Sequence, residues 1–289
     1  MNARLAAAFD LLPDYLAWHV LLSASALVLG VAISLPLAIV ASRSPRLRWP
    51  VLALASLIQT IPSLALLALF YPLLLAISAL SLAALGRGFS ALGFLPSLLA
   101  LTLYSMLPIL RNGVAGITGV DPAIREAADG VGMTARQKLF QVELPLAAPV
   151  IMAGVRTAAV WTIGAATLST PVGQTSLGNY IFAGLQTENW VFVLFGCAAS
   201  AVLALAADQL LGLVETGARL RRRGLVIAGL AGLLIGTAVA LLPLAHFGKP
   251  AELLASATDE GVRALLEAPR RQAERLRAKL AQGAVRARA

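Results

Sequence analysis

The stretch DPAIREAADGVGMTARQKLFQVELPLAAP, residues 121 to 149, is a charged island between long apolar runs. Asp121 is a good N-cap, and Pro122 suits the first helical position, where a missing N–H leaves nothing unpaired. A short helix is therefore expected from there through Glu126, Ala127 and Ala128, stopped by Gly130 and Gly132. Thr134, with Gln137 three residues on, has the form of a capping box. It starts a second short helix that runs through Lys138 and Phe140 to a break at Glu143-Leu144-Pro145. From Arg111 to Pro145 the basic residues Arg111, Arg125, Arg136 and Lys138 are matched by Asp121, Glu126, Asp129 and Glu143. Such a segment belongs in water, so residues 111–146 form an aqueous loop between two membrane spans.

The remainder of the chain is of another kind. Of 289 residues, 59% are hydrophobic and 13% charged, and the mean hydropathy is +0.83, outside the range of soluble domains. This is the composition of a polytopic membrane protein, an all-α bundle of about six transmembrane helices. The net charge of +9 does not point to nucleic acid, because the basic residues sit in short loops and after residue 247 rather than on one face. Cys197 lies alone in an apolar run and is expected to be a small buried hydrophobe.

Spans are expected at 15–41, 50–77, 94–110, 147–170, 190–214 and 225–244, each near the length needed to cross about 30 Å of hydrocarbon. Residues 78–92 read as an outer loop. The segment VGQTSLGNYIFAGLQTEN, residues 172–189, reads as a short outer helix lying against the bundle. Arg43, Arg46 and Arg48, the charged loop, and Arg219 with Arg221 to Arg223 all fall on one side, whereas only Arg4 and Arg87 fall on the other. The positive-inside rule therefore places the N-terminus outside the cytoplasm and the charged loop within it. Trp18, Trp49 and Trp190 fall near the expected interfaces. The chain divides into a transmembrane domain, 1–246, and a charged helical tail, 247–289, expected to be extracytoplasmic with helix at 251–266 and after Pro269.

The charged loop also resembles a known pattern. Glu126-Ala127-Ala128, three residues, Gly132, nine residues, Val142, one residue and Leu144-Pro145 match the EAA loop in permease subunits of ATP-binding-cassette (ABC) importers. Val142 stands where that family usually has isoleucine. LIQTIPSLALLAL (57–69), LYSMLPILRNGVAGITGVDPA (103–123) and GVRTAAVWTIGAATLSTPVG (154–173) resemble the branch that imports glycine betaine, carnitine, choline and related osmoprotectants. The resemblance spans roughly residues 15–215. It implies a type I importer-like permease in the cell (inner) membrane, built as two copies or one copy and a paralogue. It further implies cytosolic ATPase subunits that use the ATP, and an extracytoplasmic substrate-binding protein. Glu126, Ala127, Ala128, Gly132, Leu144 and Pro145 would be the elements coupling to the ATPase. An importer of methionine or another amino acid is the alternative within the family.

The residues leave other possibilities open. A self-sufficient secondary transporter or channel would call for intramembrane carboxylates, paired broken helices or a gating-charge series, and none stands out. Gln59 and Thr60, beside Pro62, either line a passage or hydrogen-bond to neighbouring helices. Tyr104 and Trp161 either offer π-faces to a quaternary ammonium or are packed or lipid-facing aromatics. Arg156 and Asp208 lie inside expected spans at similar depth, and are expected to pair or to share a hydrated cavity. Gly232 and Gly236 form a GxxxG. His19 and His246 are isolated, so no metal site is expected. No Walker A loop, nucleophile triad or His/carboxylate cluster occurs either. The chain is read as a transport subunit, not an enzyme, binding no cofactor and contacting lipid and protein partners only.

Overall fold

The computed structural model describes residues 3–246, and every described element is helical. Helix α1 runs from Ala3 to Arg43, α2 from Pro45 to Thr60, α3 from Ser63 to Leu85, and α4 from Phe94 to Thr118. The charged loop holds α5 (Pro122–Gly130) and α6 (Ala135–Gln137), the latter continuing as a π-helical turn, Lys138–Glu143, into α7 (Leu144–Ala166). A 3₁₀ turn, Thr167–Val172, leads to α8 (Gly178–Gln186), α9 (Trp190–Arg219) and α10 (Arg223–His246). Among the described residues, 6 helical segments are long and apolar enough to span a membrane: 4–43, 63–85, 94–118, 135–172, 190–219 and 223–244. Helices suit that setting because each backbone N–H and C=O is satisfied within its own segment. The 247–289 tail lies outside the described residues.

Three boundaries differ from the sequence reading, each for a physical reason. The expected span 50–77 is broken in two, since Pro62 has no N–H to continue α2, and α3 begins just after it. Tyr104 Oη donates to the carbonyl of Ile61 at 3.0 Å, and Gln59 Nε2 donates to the carbonyl of Tyr104 at 3.1 Å. The polar groups freed by the break are thus answered from α4. Second, 78–92 is not all loop, because α3 runs on to Leu85. Within the separate unit 72–91, Ser78 Oγ donates to Phe89 O at 2.6 Å and accepts from Phe89 N at 2.9 Å, closing the turn after the helix. Third, the chain does not break at Leu144-Pro145. The π turn, in which Leu144 N donates to Leu139 O, widens the helix ahead of Pro145, so the proline ring enters α7 without interrupting it.

Within the unit comprising residues 3–71 and 92–246, α4 is the central helix, and its buried residues run from Pro96 to Ile117. Helix α1 packs along one side of it and α7 along another. Small residues set that spacing, as is usual where lipid supplies no hydrophobic drive between helices. A Cβ at Gly154 of α7 would stand 2.6 Å from Asn112 Cβ and 2.7 Å from the carbonyl of Pro108, so α4 and α7 could not approach this closely with any other residue there. At the opposite end from the charged loop, α8 is locked down by two buried side chains. Tyr180 Oη donates to Ala8 O at 2.6 Å, and the His19 ring lies 3.1 Å from Ile163 O through Nε2 and accepts from Leu177 N at 3.3 Å through Nδ1. That pair of contacts selects the Nε2–H tautomer. Cys197, expected buried, is exposed on α9.

Candidate coupling site and intramembrane charge cluster

The charged loop is folded by short-range rules. Asp121 caps α5, accepting from Ala123 N at 2.9 Å. At the other end, Met133 N donates to Ala128 O and Gly132 N to Asp129 O, with Gly132 at φ +77°. These bonds make a Schellman motif, whose left-handed residue is glycine because other residues are strained there. Beyond its neighbours in sequence, a Cβ at Gly132 would meet nothing within 4 Å among the described residues, so backbone conformation rather than crowding is what demands the glycine there. The capping box is present: Gln137 N donates to Thr134 Oγ1 and Thr134 N to Gln137 Oε1. Lys138 Nζ, 2.6 Å from Asp129 Oδ1, ties the two halves of the loop together.

Of the sequence-predicted coupling residues, Ala128 is buried against the bundle, while Glu126, Ala127, Gly132 and Pro145 are exposed and Leu144 is half-buried at the start of α7. Around them Val131 is 75% exposed and Phe140 58%. An aqueous loop that presents a bare valine and phenylalanine beside an exposed glutamate has the make-up of a docking surface.

Glu143 was legible in the sequence only as one of the loop's charges. It is fully buried, and Arg43 grips it with both terminal guanidinium nitrogens, Nη1 at 2.9 Å from Oε1 and Nη2 on Oε2. Arg125 Nε stands 3.9 Å from the same carboxylate, while Arg125 Nη2 donates to the carbonyls of Ile117, Thr118 and Val120 at the end of α4. One carboxylate thereby joins the ends of α1, α4, α5 and α7. The sequence signals were faint: an acid among apolar neighbours at the mouth of a span, and an arginine closing the first.

Farther along α7 lies a second cluster. Arg156 Nε and Nη2 donate to the two oxygens of Asp208 at 2.5 and 2.6 Å, and Nη1 reaches Glu215 Oε2 at 3.4 Å. Glu215 escaped the sequence reading because the fifth span was ended at 214, whereas α9 continues to Arg219. Asp208 and Glu215 are two turns apart and share a face. Trp161 lines the same hollow. Gln59 and Tyr104 meet at the α2–α3 break and do not line that hollow, and Thr60 donates to Leu57 O of its own helix. Of the GxxxG pair, Gly232 packs on Leu210 and Gly236 has open space beside it. Among the described residues no His/Cys/Asp/Glu group could hold a metal ion.

Arg156 is the one positive charge facing Asp208 and Glu215, so Arg156→Gln is expected to destabilise the folded chain by about 2 kcal/mol, less than for a fully buried pair because the cluster is partly exposed. Asp208→Asn leaves an Arg156–Glu215 pair and is mild, and added to Arg156→Gln it restores part of the loss. Thermal unfolding of the purified proteins reads this out; additive losses would show the pair to be uncoupled.

Residues 30–220 match the model of a family described as the binding-protein-dependent transport system inner membrane component. The chain belongs to that family. It is 40% identical over 197 residues to the choline transport system permease protein OpuBB of Bacillus subtilis, a match covering 68% of this chain and 83% of that one. It is 40% identical over 198 residues to the carnitine transport permease protein OpuCD of Listeria monocytogenes, covering 68% and 82%. With the osmoprotectant import permease protein OsmW of Salmonella typhimurium it shares 37% over 193 residues, covering 67% and 85%. The fold is that of ABC importer permeases. A chain of the inward-facing MetNI methionine ABC transporter superposes with a TM-score of 0.62 at 17% identity, covering 75% of this chain and 99% of that one. An amino acid ABC transporter superposes at 0.59 and 22% identity, covering 75% and 98%. As a permease of this family the chain is a membrane transport subunit rather than an enzyme, and ATP hydrolysis belongs to a separate subunit. Helix α10 lies beyond the residues matched to the family.

Proposed function

We propose that this permease forms the membrane passage of an ATP-driven importer for a small osmoprotectant carrying a quaternary ammonium, such as choline, glycine betaine or carnitine. The observation that carries the reading is the charged loop: a fully folded, bundle-anchored element whose outward face offers Glu126, Ala127, Val131 and Phe140 to a partner. The relatives' names supply the solute class. In this reading Glu126, Ala127, Ala128, Gly132, Leu144 and Pro145 dock into a cytosolic ATPase subunit. A second copy or a paralogue completes the passage, and an extracytoplasmic binding protein delivers the solute. Gln59 and Thr60 stand near the passage at the break in the second span, and Tyr104 sets the shape of that break.

The positive residues near Arg43, in the charged loop and at 219–223 favour the cytoplasmic side for that end of the bundle and the outside for the N-terminus. Residues 1–246 then make one transmembrane domain, and the tail beyond α10 is extracytoplasmic. Labelling an Ala284→Cys variant only from the cytoplasmic face would overturn the tail's placement. The function is tested by uptake of labelled choline, glycine betaine, carnitine and methionine into vesicles holding the permease, its ATPase and the binding protein. ATP-dependent uptake of at least one quaternary ammonium solute is expected; uptake of methionine alone would replace this reading by the amino-acid one.

A further inference from the structure

The charges around Arg156 lie within two of the candidate spans, 135–172 and 190–219, and are not sealed away. The side chains of Arg156, Asp208 and Glu215 keep 35%, 22% and 28% of their surface exposed, and one positive against two negative groups leaves the cluster one charge negative. Lipid is a poor neighbour for that face, since a charged side chain within the hydrocarbon is costly unless it is paired or hydrated. A dry protein neighbour is little better. A second copy packed there about a two-fold axis would bring the same negative excess against itself, and burying an unmatched charge is costly. Water is the medium that suits the cluster.

The cluster lines a hollow of about 410 Å³ together with Thr157 and Trp161, whose side chain is half exposed. A quaternary ammonium has a positive charge and no N–H, so it is held by negative charge and by aromatic faces rather than by hydrogen bonds. This hollow offers both. We propose that the α7–α9 face bearing Arg156, Asp208 and Glu215 borders the hydrated passage, and that the net negative charge with Trp161 forms a transient station for the cationic head of the solute. The assignment of the solute class rests on the proposed function; the hydration and charge of the face do not.

The test uses the assembled permease–ATPase complex in proteoliposomes, with Cys197→Ala as background and single cysteines at Thr157→Cys and, as a lipid-facing control, Leu234→Cys, which is 72% exposed on α10. Two membrane-impermeant methanethiosulfonates are compared, one carrying a trimethylammonium and one a sulfonate. With each rate taken relative to that reagent's rate with a free thiol in solution, Thr157→Cys should favour the trimethylammonium reagent over the sulfonate roughly five-fold, as a nearby unit charge in water permits, and Leu234→Cys should react with neither. Glu215→Gln should shrink that preference. Choline should slow the cationic reagent at Thr157→Cys, and Trp161→Ala should remove the protection. An unreactive Thr157→Cys, a disulfide between two Thr157→Cys copies, or equal relative rates with both reagents would overturn the hydrated, cation-favouring face. Absence of choline protection in a complex that does transport choline would overturn the station. If choline, glycine betaine and carnitine are not transported at all while the charge preference persists, the solute assignment has failed and the hydrated face stands.

Discussion

Gly132→Val is expected to leave the permease inserted and folded while uptake falls at least ten-fold. The left-handed backbone at Gly132, φ +77°, costs a β-branched residue on the order of 1–3 kcal/mol. Because, among the described residues, nothing beyond the adjoining residues lies within 4 Å of the missing Cβ, that cost can be relieved by re-aiming the turn rather than by unfolding the bundle. Re-aiming the turn moves Val131 relative to Phe140, and with them the face offered to the ATPase. Glu126→Lys should give the same phenotype by another route. Its carboxylate makes no hydrogen bond or ion pair among the described residues, so its reversal should cost the fold within about 0.5 kcal/mol, and any loss of transport reports a contact outside this chain. For this loop to transmit ATPase closure, its contacts must differ between states of the complex. The measurement is complex retention, ATP turnover and uptake on the same preparation of each variant with its ATPase. Loss of association, or ATP hydrolysis without uptake, is the expected result. Normal uptake in both variants would remove the coupling assignment.

Glu143→Gln should be the most damaging single change to stability. The carboxylate is fully buried, and removing its charge leaves Arg43, and Arg125 at 3.9 Å, facing a neutral amide. Breaking a fully buried pair from one side typically costs about 3–5 kcal/mol, but the stranded Arg43 side chain is 43% exposed and that of Arg125 30%, so water takes up part of the freed charge and a loss of about 2–3 kcal/mol is expected. The loop, tied to the bundle at this point, would lose its register with α1. Arg43→Gln placed on top of Glu143→Gln is expected to recover a large part of the loss, because it removes the orphaned charge. Arg125 is retained in both, since it still closes the end of α4 through the carbonyls of Ile117, Thr118 and Val120. Thermal midpoints of the purified variants decide the matter. A Glu143→Gln protein as stable as the wild type, or a double variant weaker than both singles, would show that the buried cluster does not hold the loop.

The sequence by itself determined the features that depend on neighbours a few residues away. Asp121 as a cap, the stop at Gly130 and Gly132, the Thr134–Gln137 box and the number of spans are all local, and each is where short-range chemistry puts it. What it did not show is which residues meet across the bundle. Arg43 and Glu143 are 100 positions apart, and nothing near either announces the other. The break at Ile61-Pro62 needed the Tyr104 hydroxyl from another helix, and the continuity through Pro145 needed the π turn. Glu215 joined Arg156 only because α9 runs a turn farther than its apolar run suggested, and Cys197 is exposed although its surroundings in sequence are apolar. The common cause is the lipid setting. A helix that is hydrophobic all round carries no polar stripe to say which face is buried, so the pairing of faces was decided by small residues and a few charges brought together in the tertiary structure.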